Sequence, residues 1–276
     1  MNTPSRPRAT KIICTIGPAT DTSDMLGQLI EAGANVFRLN MSHSKHDWVR
    51  EVVFRIRRKA AELEANVAIL FDLQGPSIRT GDLAEPYHLK KGDTVEIRLG
   101  TAKPELPFST TVNYDGLLQD VQAGHTMVVD NGGILMRIAE VRPDRLICDV
   151  LTEGVFGSRR HINLPGVALR LPALTEKDLA DLAVAVECET DYVAMSFVRD
   201  AAHIAQLREH IDNLGGKAQI VAKIEDQQAV RHIDDIILAA DVIMVARGDL
   251  GIEVSIEELP IIQRLSLIHI SEPTRH

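Results

Sequence analysis

The sequence has few of the residues that mark secreted, membrane-spanning or disulfide-linked proteins. Cysteine occurs only three times in 276 residues, as Cys14, Cys148 and Cys188. Three widely spaced thiols form neither a disulfide framework nor the paired spacing of a metal site. No apolar run approaches the roughly 20 residues of a membrane span, and the first residues lack the apolar core of a signal peptide. We therefore expect a reduced, cytoplasmic protein with no membrane partner.

Basic residues are fewer than acidic residues. Lys and Arg total 30 against 39 Asp and Glu, which gives a formal net charge of -9 at pH 7. General affinity for nucleic acid needs a basic face, so a nucleic-acid partner is not expected. A small anionic substrate is still compatible with this charge, because a few local cations suffice to bind it.

Apolar runs at both ends of the chain predict the strands of a parallel sheet. They lie at residues 11–16, 34–39 and 67–73, and again at 192–198, 219–224 and 242–246. Helical patterns separate them. Ser44 can cap a helix that begins at about residue 46, Thr175 and Asp178 resemble a capping box at the start of another, and a single helix is predicted over 227–239. Strands that are apolar throughout are usually buried on both faces of a parallel sheet. Repeated βα units of this kind favour a (β/α) barrel or a doubly wound sheet.

The pattern between the two ends is different. From about residue 80 to 163, short alternating runs are separated by Gly, Asn and Pro turn signals, which predicts a small all-β insert. We divide the chain into a first barrel part (1–80), the inserted β-rich domain (81–165) and a second barrel part (166–265). Outside the insert about 190 residues remain, whereas a complete eightfold barrel takes about 250. A barrel would therefore lack two of its strands here.

Charged and polar side chains follow the predicted strands where each one ends. In a parallel β/α fold the carboxyl ends of the strands carry the chemistry, so we expect these side chains to share one rim. The set comprises Arg38, Asn40, Ser42, His43, Asp72, Arg79, Lys223, Glu225, Arg247, Gly248 and Asp249.

The types of residue in this set suit a metal ion and a phosphorylated anion. Glu225 and Asp249 are hard oxygen ligands of the kind that Mg²⁺ prefers. Lys223 is a point charge suited to a phosphoryl oxygen or a developing enolate. Arg38 and Arg79 suit phosphate oxygens through their planar geometry.

Two further features of the rim fit the same interpretation. Asn40, Ser42 and Asp72 together offer two neutral oxygens and one charge, a mixture that suits a monovalent cation. Gly248 allows close approach of the backbone to a ligand carboxylate, especially where a helix begins. Each residue taken singly has an ordinary alternative: Lys223 with Glu225 could be a solvated ion pair. The collection at four strand ends is much harder to ascribe to chance.

Five ordered segments resemble the pyruvate kinase family. They are TKIICTIGPA (10–19), RLNMSH (38–43), DLQGPSIRT (72–80), VAKIE (221–225) and MVARGDLG (244–251). NLPG at 163–166 resembles the return from the family's small β domain, and the likeness runs from about Thr10 to Leu265. The resemblance implies an α/β fold, a partial TIM (β/α)8 barrel with an inserted β-rich lid domain. It also implies a glycolytic phosphotransferase that converts phosphoenolpyruvate and ADP to pyruvate and ATP.

The resemblance also implies a role for each matching residue. The catalytic residues would be Lys223 and Arg79, and the substrate would be bound by Arg38, Lys223, Gly248 and Asp249. The nucleotide would be bound by Asn40, His43, Arg79 and Arg160. Mg²⁺ or Mn²⁺ would be held by Glu225 and Asp249, and K⁺ by Asn40, Ser42, Asp72 and Leu73. The full-length form would be a homotetramer.

Departures from the family pattern qualify these roles. Ser77 stands where the family often has Glu or Lys, a choice linked to the need for a monovalent cation, so K⁺ dependence is open. Arg160 stands where Lys is common. The family continues through two more strands and a regulatory domain, and we expect a C-terminally truncated chain. After Leu265 the resemblance stops, and Pro273 would break the expected helix; we expect residues 266–276 to be a non-native tail.

Two alternatives stay open at this point. One is an inactive, truncated fragment of that enzyme. The other is a Mg²⁺-dependent lyase of the phosphoenolpyruvate/pyruvate barrel type, which would need neither the inserted lid nor the cluster of Asn40, Ser42 and Asp72.

Overall fold

A computed structural model describes residues 10–255 and 257–264. In chain order the elements are β1 (Ile13–Ile16), α1 (Ser23–Glu31), β2 (Val36–Asn40), α2 (His46–Glu62), β3 (Ala68–Asp72), β4 (Tyr87–Leu89), β5 (Thr94–Arg98), β6 (Phe108–Thr111), α3 (Leu117–Asp120), β7 (Thr126–Val129), β8 (Ile134–Val141), β9 (Arg145–Val150), β10 (Gly154–Phe156), β11 (Ile162–Asn163), α4 (Glu176–Glu187), β12 (Tyr192–Met195), α5 (Ala201–Asn213), β13 (Gln219–Ile224), α6 (Gln227–Arg231), α7 (Ile233–Ala239), β14 (Val242–Val245) and α8 (Arg247–Glu253).

The six predicted apolar strands form one parallel sheet in the order β1-β2-β3-β12-β13-β14. Neighbours in the sheet follow the chain order on either side of the insert, as successive βα units of a barrel do. The register places Asn40 opposite Asp72 and Lys223 opposite Met244, so the strand ends lie at one edge. Within the described residues, β1 and β14 each pair with a single neighbour. The predicted α/β class, a partial barrel with a β-rich insert, is confirmed.

The insert forms a second, mostly antiparallel sheet. Its strand order is β11-β7-β8-β9-β5-β6, and β10 pairs with β4 beside it. Strands β4, β10 and β11 have only two or three residues, too few to show a period in the sequence, and β6 (FSTT) has one apolar residue and shows no alternation either. The alternation predicted for the insert is clearest in β8.

Two separate apolar cores correspond to the two sheets. One is built from residues between positions 16 and 73 and between 173 and 262, and the other from residues between 78 and 164. The chain crosses between them near an isolated bridge that joins Arg79 and His161. The exact domain boundaries stay predictions, and residues 266–276 lie outside the described part of the chain.

Side-chain caps mark the starts of α1, α4, α5 and α6, and the other four helices named above have none. Thr175 and Asp178 form the predicted capping box at the start of α4, which satisfies backbone donors there. The predicted Ser44 cap of α2 is wrong: Lys45 is the N-cap, and the Ser44 hydroxyl donates to Asn40 O at 2.8 Å. The single helix predicted over 227–239 is two helices that meet at His232, whose ring lies 3.0 Å from Arg199 O.

None of the helices in the described ranges combines the length and the apolar composition needed to cross a membrane.

Candidate active site

The carboxyl ends of β2, β3, β12 and β13 and the start of α8 open onto a cleft of about 450 Å³. Its other wall comes from the β-rich insert. Every predicted site residue except Arg247 and Gly248 lines this cleft. They are Arg38, Asn40, Ser42, His43, Asp72, Leu73, Arg79, Arg160, Lys223, Glu225 and Asp249.

Lys223 is the central cation of the cleft. It lies on β13, and its Nζ is 2.8 Å from Glu225 Oε1, 2.7 Å from Ser196 Oγ and 3.2 Å from Asp72 Oδ1. Burial disfavours the charged ammonium, but the carboxylates of Glu225 and Asp72 outweigh burial and hold the pKa of Lys223 above its ordinary value. The side chain therefore carries a positive charge at neutral pH.

Glu225 is buried opposite that cation and is 2% exposed. Its Oε2 accepts a hydrogen bond from the Phe197 backbone N–H at 2.7 Å. Burial raises the pKa of Glu225 most, Lys223 opposes this, and the charge of Asp249 raises it further. The two carboxylates are therefore close enough to repel each other.

This repulsion fits a divalent cation between Glu225 and Asp249. A positive ion there would offset both burial and like charge. Residues 10–255 and 257–264 contain no group of three or more His, Cys, Asp or Glu side chains suited to a metal. A Mg²⁺ ion at this position would therefore complete its shell with water or substrate oxygens, as Mg²⁺ commonly does.

Asp72 lies between two cations, Arg38 and Lys223. It is 2% exposed, and its Oδ2 lies 2.7 Å from Arg38 Nε and 2.5 Å from Nη2. The Arg38 guanidinium also donates to Thr15 Oγ1 at 2.8 Å. Asp72 Oδ1 is buried and makes no hydrogen bond of acceptable geometry, although the Lys223 ammonium is nearby.

The other predicted monovalent-cation ligands line the same cleft as Asp72, and Asn40 lies opposite Asp72 in the sheet. Asn40 Oδ1 accepts from the Ser42 backbone N–H at 3.1 Å, and the Leu73 carbonyl accepts from Ser196 Oγ at 2.8 Å. Asp72 Oδ1 is a buried acceptor without a hydrogen bond, and an oxygen of this kind has the chemistry of a cation ligand. The residues present therefore fit a K⁺ ion.

The predicted nucleotide-contacting residues lie towards the insert. Arg79 donates from Nη1 to Arg159 O at 3.0 Å, and its Nε lies 3.3 Å from Ser77 Oγ. Arg160 pairs with Asp130 at 3.3 Å. These side chains bring positive charge to the wall opposite Lys223.

Gly248, like Arg247, is a predicted site residue that does not line the cleft. It lies in the first turn of α8, next to Asp249. A Cβ built at Gly248 would meet no atom within 4 Å, so the space beside it is open.

The residues after the fourth strand also belong to the site. The predicted strand extends to residue 198, but β12 ends at Met195, and Ser196 and Phe197 line the cleft. Phe197 has a φ of 54°, which is unusual for a bulky residue. The rule that located the other residues, polarity at the end of a parallel strand, would also have indicated Ser196. His161 lines the cleft as well, with its ring centroid 5.8 Å from that of Phe197; no pattern in the sequence pointed to it.

Comparison with known proteins agrees with this geometry. Residues 7–274 match the family described as "Pyruvate kinase, barrel domain". The match extends beyond Leu265, the predicted end of the resemblance. The origin of residues 266–276 stays a prediction.

Individual relatives cover nearly the whole chain. Plastidial pyruvate kinase 2 of Arabidopsis thaliana is 40% identical over 263 residues, which is 94% of this chain and 45% of that protein. Pyruvate kinase of Geobacillus stearothermophilus is 40% identical over 94% of this chain and 44% of its own length. Pyruvate kinase of Mycobacterium tuberculosis (strain ATCC 25618 / H37Rv) is 38% identical over 94% and 55%. The chain spans about half the length of the curated relatives it matches. With the barrel-order sheet, the β-rich insert and the lysine-centred cleft, these matches show that the chain belongs to the pyruvate kinase family.

Proposed function

We propose that this cleft is the site at which a phosphoryl group passes from phosphoenolpyruvate to ADP, giving pyruvate and ATP. The P–O bond to the enol oxygen breaks, a P–O bond to the terminal phosphate oxygen of ADP forms, and the enolate takes a proton on carbon. The observation that carries this proposal is the buried Lys223 ammonium between two carboxylates, facing the arginines of the insert.

Lys223 would act on the charge that develops during transfer. Its raised pKa keeps it protonated, and a fixed cation in a buried site stabilises a phosphoryl oxygen and an enolate more strongly than water does. Arg38, Gly248 and Asp249 would contact phosphoenolpyruvate.

The nucleotide would lie against the insert. Arg79 and Arg160 would contact its phosphates, with Asn40 and His43 beside them. Arg79 is held by Ser77 and Arg159, so its guanidinium is already oriented in the cleft. It could therefore also act on the transferred group.

Two cation sites belong to the proposal. Glu225 and Asp249 would hold Mg²⁺ or Mn²⁺, and Asn40, Ser42, Asp72 and the Leu73 carbonyl would hold K⁺. The divalent ion, when bound, would supply positive charge to the phosphoryl oxygens. The protein's own groups orient the substrates and keep the lysine charged. A cytoplasmic location and a homotetrameric full-length form also stay proposals; two relatives carry plastidial or chloroplastic names.

A coupled assay tests the proposal. Pyruvate formation from phosphoenolpyruvate is followed with and without ADP, in the wild type, in Lys223→Met and in Lys217→Met. Lys217 is exposed, which makes it a matched control. We expect ADP-dependent turnover that Lys223→Met lowers by at least about 10²-fold and that Lys217→Met leaves unchanged. Near-normal turnover in Lys223→Met would remove the role assigned to Lys223, and pyruvate release without ADP would contradict transfer to ADP, because the phosphoryl group would then pass to water.

One observation favours a second candidate, a chain that binds the substrates but turns them over poorly. In the described residues β1 and β14 are each paired on one side, and Ile13 and Val242 on them are partly exposed. Such edges leave backbone N–H and C=O groups open to pairing with another chain, which would disturb the arrangement of the strand ends. Calorimetric binding of phosphoenolpyruvate without turnover in the assay above would establish this candidate.

A further inference from the structure

The Ser196 hydroxyl lies between two groups of the candidate site. It is 4% exposed, and its Oγ is 2.7 Å from Lys223 Nζ and 2.8 Å from the Leu73 carbonyl oxygen. A carbonyl can only accept, so the hydroxyl donates its single hydrogen to Leu73. Its lone pairs are then directed to the Lys223 ammonium. The hydrogen-bond chain has one polarity, from lysine through serine to carbonyl.

The backbone around Ser196 holds this geometry. Phe197, the next residue, has a φ of 54° and donates its N–H to Glu225 at 2.7 Å. A bulky residue in this conformation costs free energy and persists where its surroundings demand it. Gly75 packs against the same turn, since a Cβ there would lie 3.0 Å from Ser196 Cβ. One turn after β12 therefore contacts both Lys223 and its carboxylate partner.

We propose that Ser196 is a positioning residue: it holds the Lys223 ammonium towards the transferred phosphoryl group and ties it to the Leu73 carbonyl of the candidate K⁺ site. The inference rests on the function proposed above. Without the hydroxyl, Lys223 keeps two partners, Glu225 and Asp72, both of which are carboxylates. The ammonium would then be drawn towards them and away from the substrate.

The expected kinetic effect follows from this displacement. Ser196→Ala displaces the Lys223 charge but keeps it in the cleft, so it should affect the step in which charge develops, and hence kcat, more than the KM for phosphoenolpyruvate; removing the charge altogether affects binding as well. We expect Ser196→Ala to lower kcat by roughly tenfold, the effect of one hydrogen bond to a charged group, with KM changed less than about twofold.

A second measurement does not need turnover. Lys223 is labelled with acetic anhydride at pH 8 and quantified by peptide mass spectrometry, with the exposed Lys217 as the reference within the same chain. We expect labelling of Lys223 to be several-fold slower in Ser196→Ala and in Ser196→Cys, because the thiol is a weak acceptor and the ammonium is then paired more closely with Glu225 and Asp72. Ser109→Ala, which removes another buried hydroxyl, one bonded to Arg98, is the matched control. It should leave Lys223 labelling unchanged.

The outcomes separate the two proposals. Wild-type labelling rates in a folded Ser196→Ala variant would overturn the positioning role. A Ser196→Cys variant that behaves as wild type while Ser196→Ala does not would also overturn it, because the role would then be packing. A raised KM with an unchanged kcat would contradict it in the kinetic assay. If the wild type shows no turnover, the proposed function fails, whereas the labelling still decides the role of Ser196.

Discussion

Replacing Glu253 with Gln should stabilise the folded chain at high pH and leave its stability unchanged at low pH. Glu253 ends α8, the helix that carries Asp249, and its Oε1 accepts from Asn163 Nδ2 on β11 at 3.4 Å. Burial, and then the charge of Asp226, raise the pKa of Glu253 from 4.5 to about 7. The carboxyl therefore sits between the returning insert and the site helix in an environment that disfavours its charge.

The sign and size of the effect follow from linkage. The folded protein holds the proton of Glu253 more tightly than the unfolded chain does, so stability falls as the pH rises from about 4.5 to about 7. The full difference in pKa corresponds to about 3 kcal/mol above pH 7, an upper bound because the carboxyl is partly exposed and screened by water. Gln keeps the acceptor for Asn163 and removes the charge. We expect Glu253→Gln to gain about 1–3 kcal/mol at pH 8.

Urea unfolding followed by circular dichroism between pH 5 and pH 8 measures this gain. The difference between Glu253→Gln and wild type should grow with pH across this range. Glu209→Gln, a change at an exposed position on α5, is the control and should give a small, flat difference. A gap that does not vary with pH, or a variant less stable than wild type at pH 8, would refute the reasoning.

Two other changes test a buried ion pair in the insert and the cap of helix α4. Glu96→Gln removes the buried partner of Arg145, 2.9 Å away, and should lower the free energy of unfolding by about 3 kcal/mol; unfolding in urea measures this, and a loss below about 1 kcal/mol would contradict it. Thr175→Ala removes the capping box of α4 and should cost about 1 kcal/mol in the same measurement, whereas Thr175→Ser should be close to wild type. Equal losses in the two Thr175 variants would show that the methyl group, and not the cap, matters.

The parallel strands could be predicted from sequence because burial on both faces leaves an uninterrupted apolar signal. The strand at Gln219–Ile224 was predicted to the residue. The rim was predictable for the same reason: once the strands are parallel, polar residues at their carboxyl ends must meet. Lys223, Glu225 and Asp72 do meet, at 2.8 and 3.2 Å.

The rest depended on which of several possible contacts the folded chain makes. Ser44 has the chemistry of a cap, yet its hydroxyl donates to Asn40 O, a competing acceptor four residues earlier. Ser196 lies within an otherwise apolar run that continues to Val198, so the end of β12 at Met195 is not visible in the sequence. The helix break at His232 contains no glycine or proline, and the His232 ring lies 3.0 Å from Arg199 O, a contact that only the fold brings about.

Binding of phosphoenolpyruvate tests the central claim most directly. Isothermal titration calorimetry on the purified chain, with and without Mg²⁺, compares the wild type with Lys223→Met and with Lys217→Met. If the cleft is the phosphoenolpyruvate site, the wild type and Lys217→Met should bind with Mg²⁺-dependent affinity, and Lys223→Met should bind at least about tenfold more weakly, the effect of one charge-assisted contact. Equal affinities in all three proteins, or binding that is indifferent to Mg²⁺, would contradict the account.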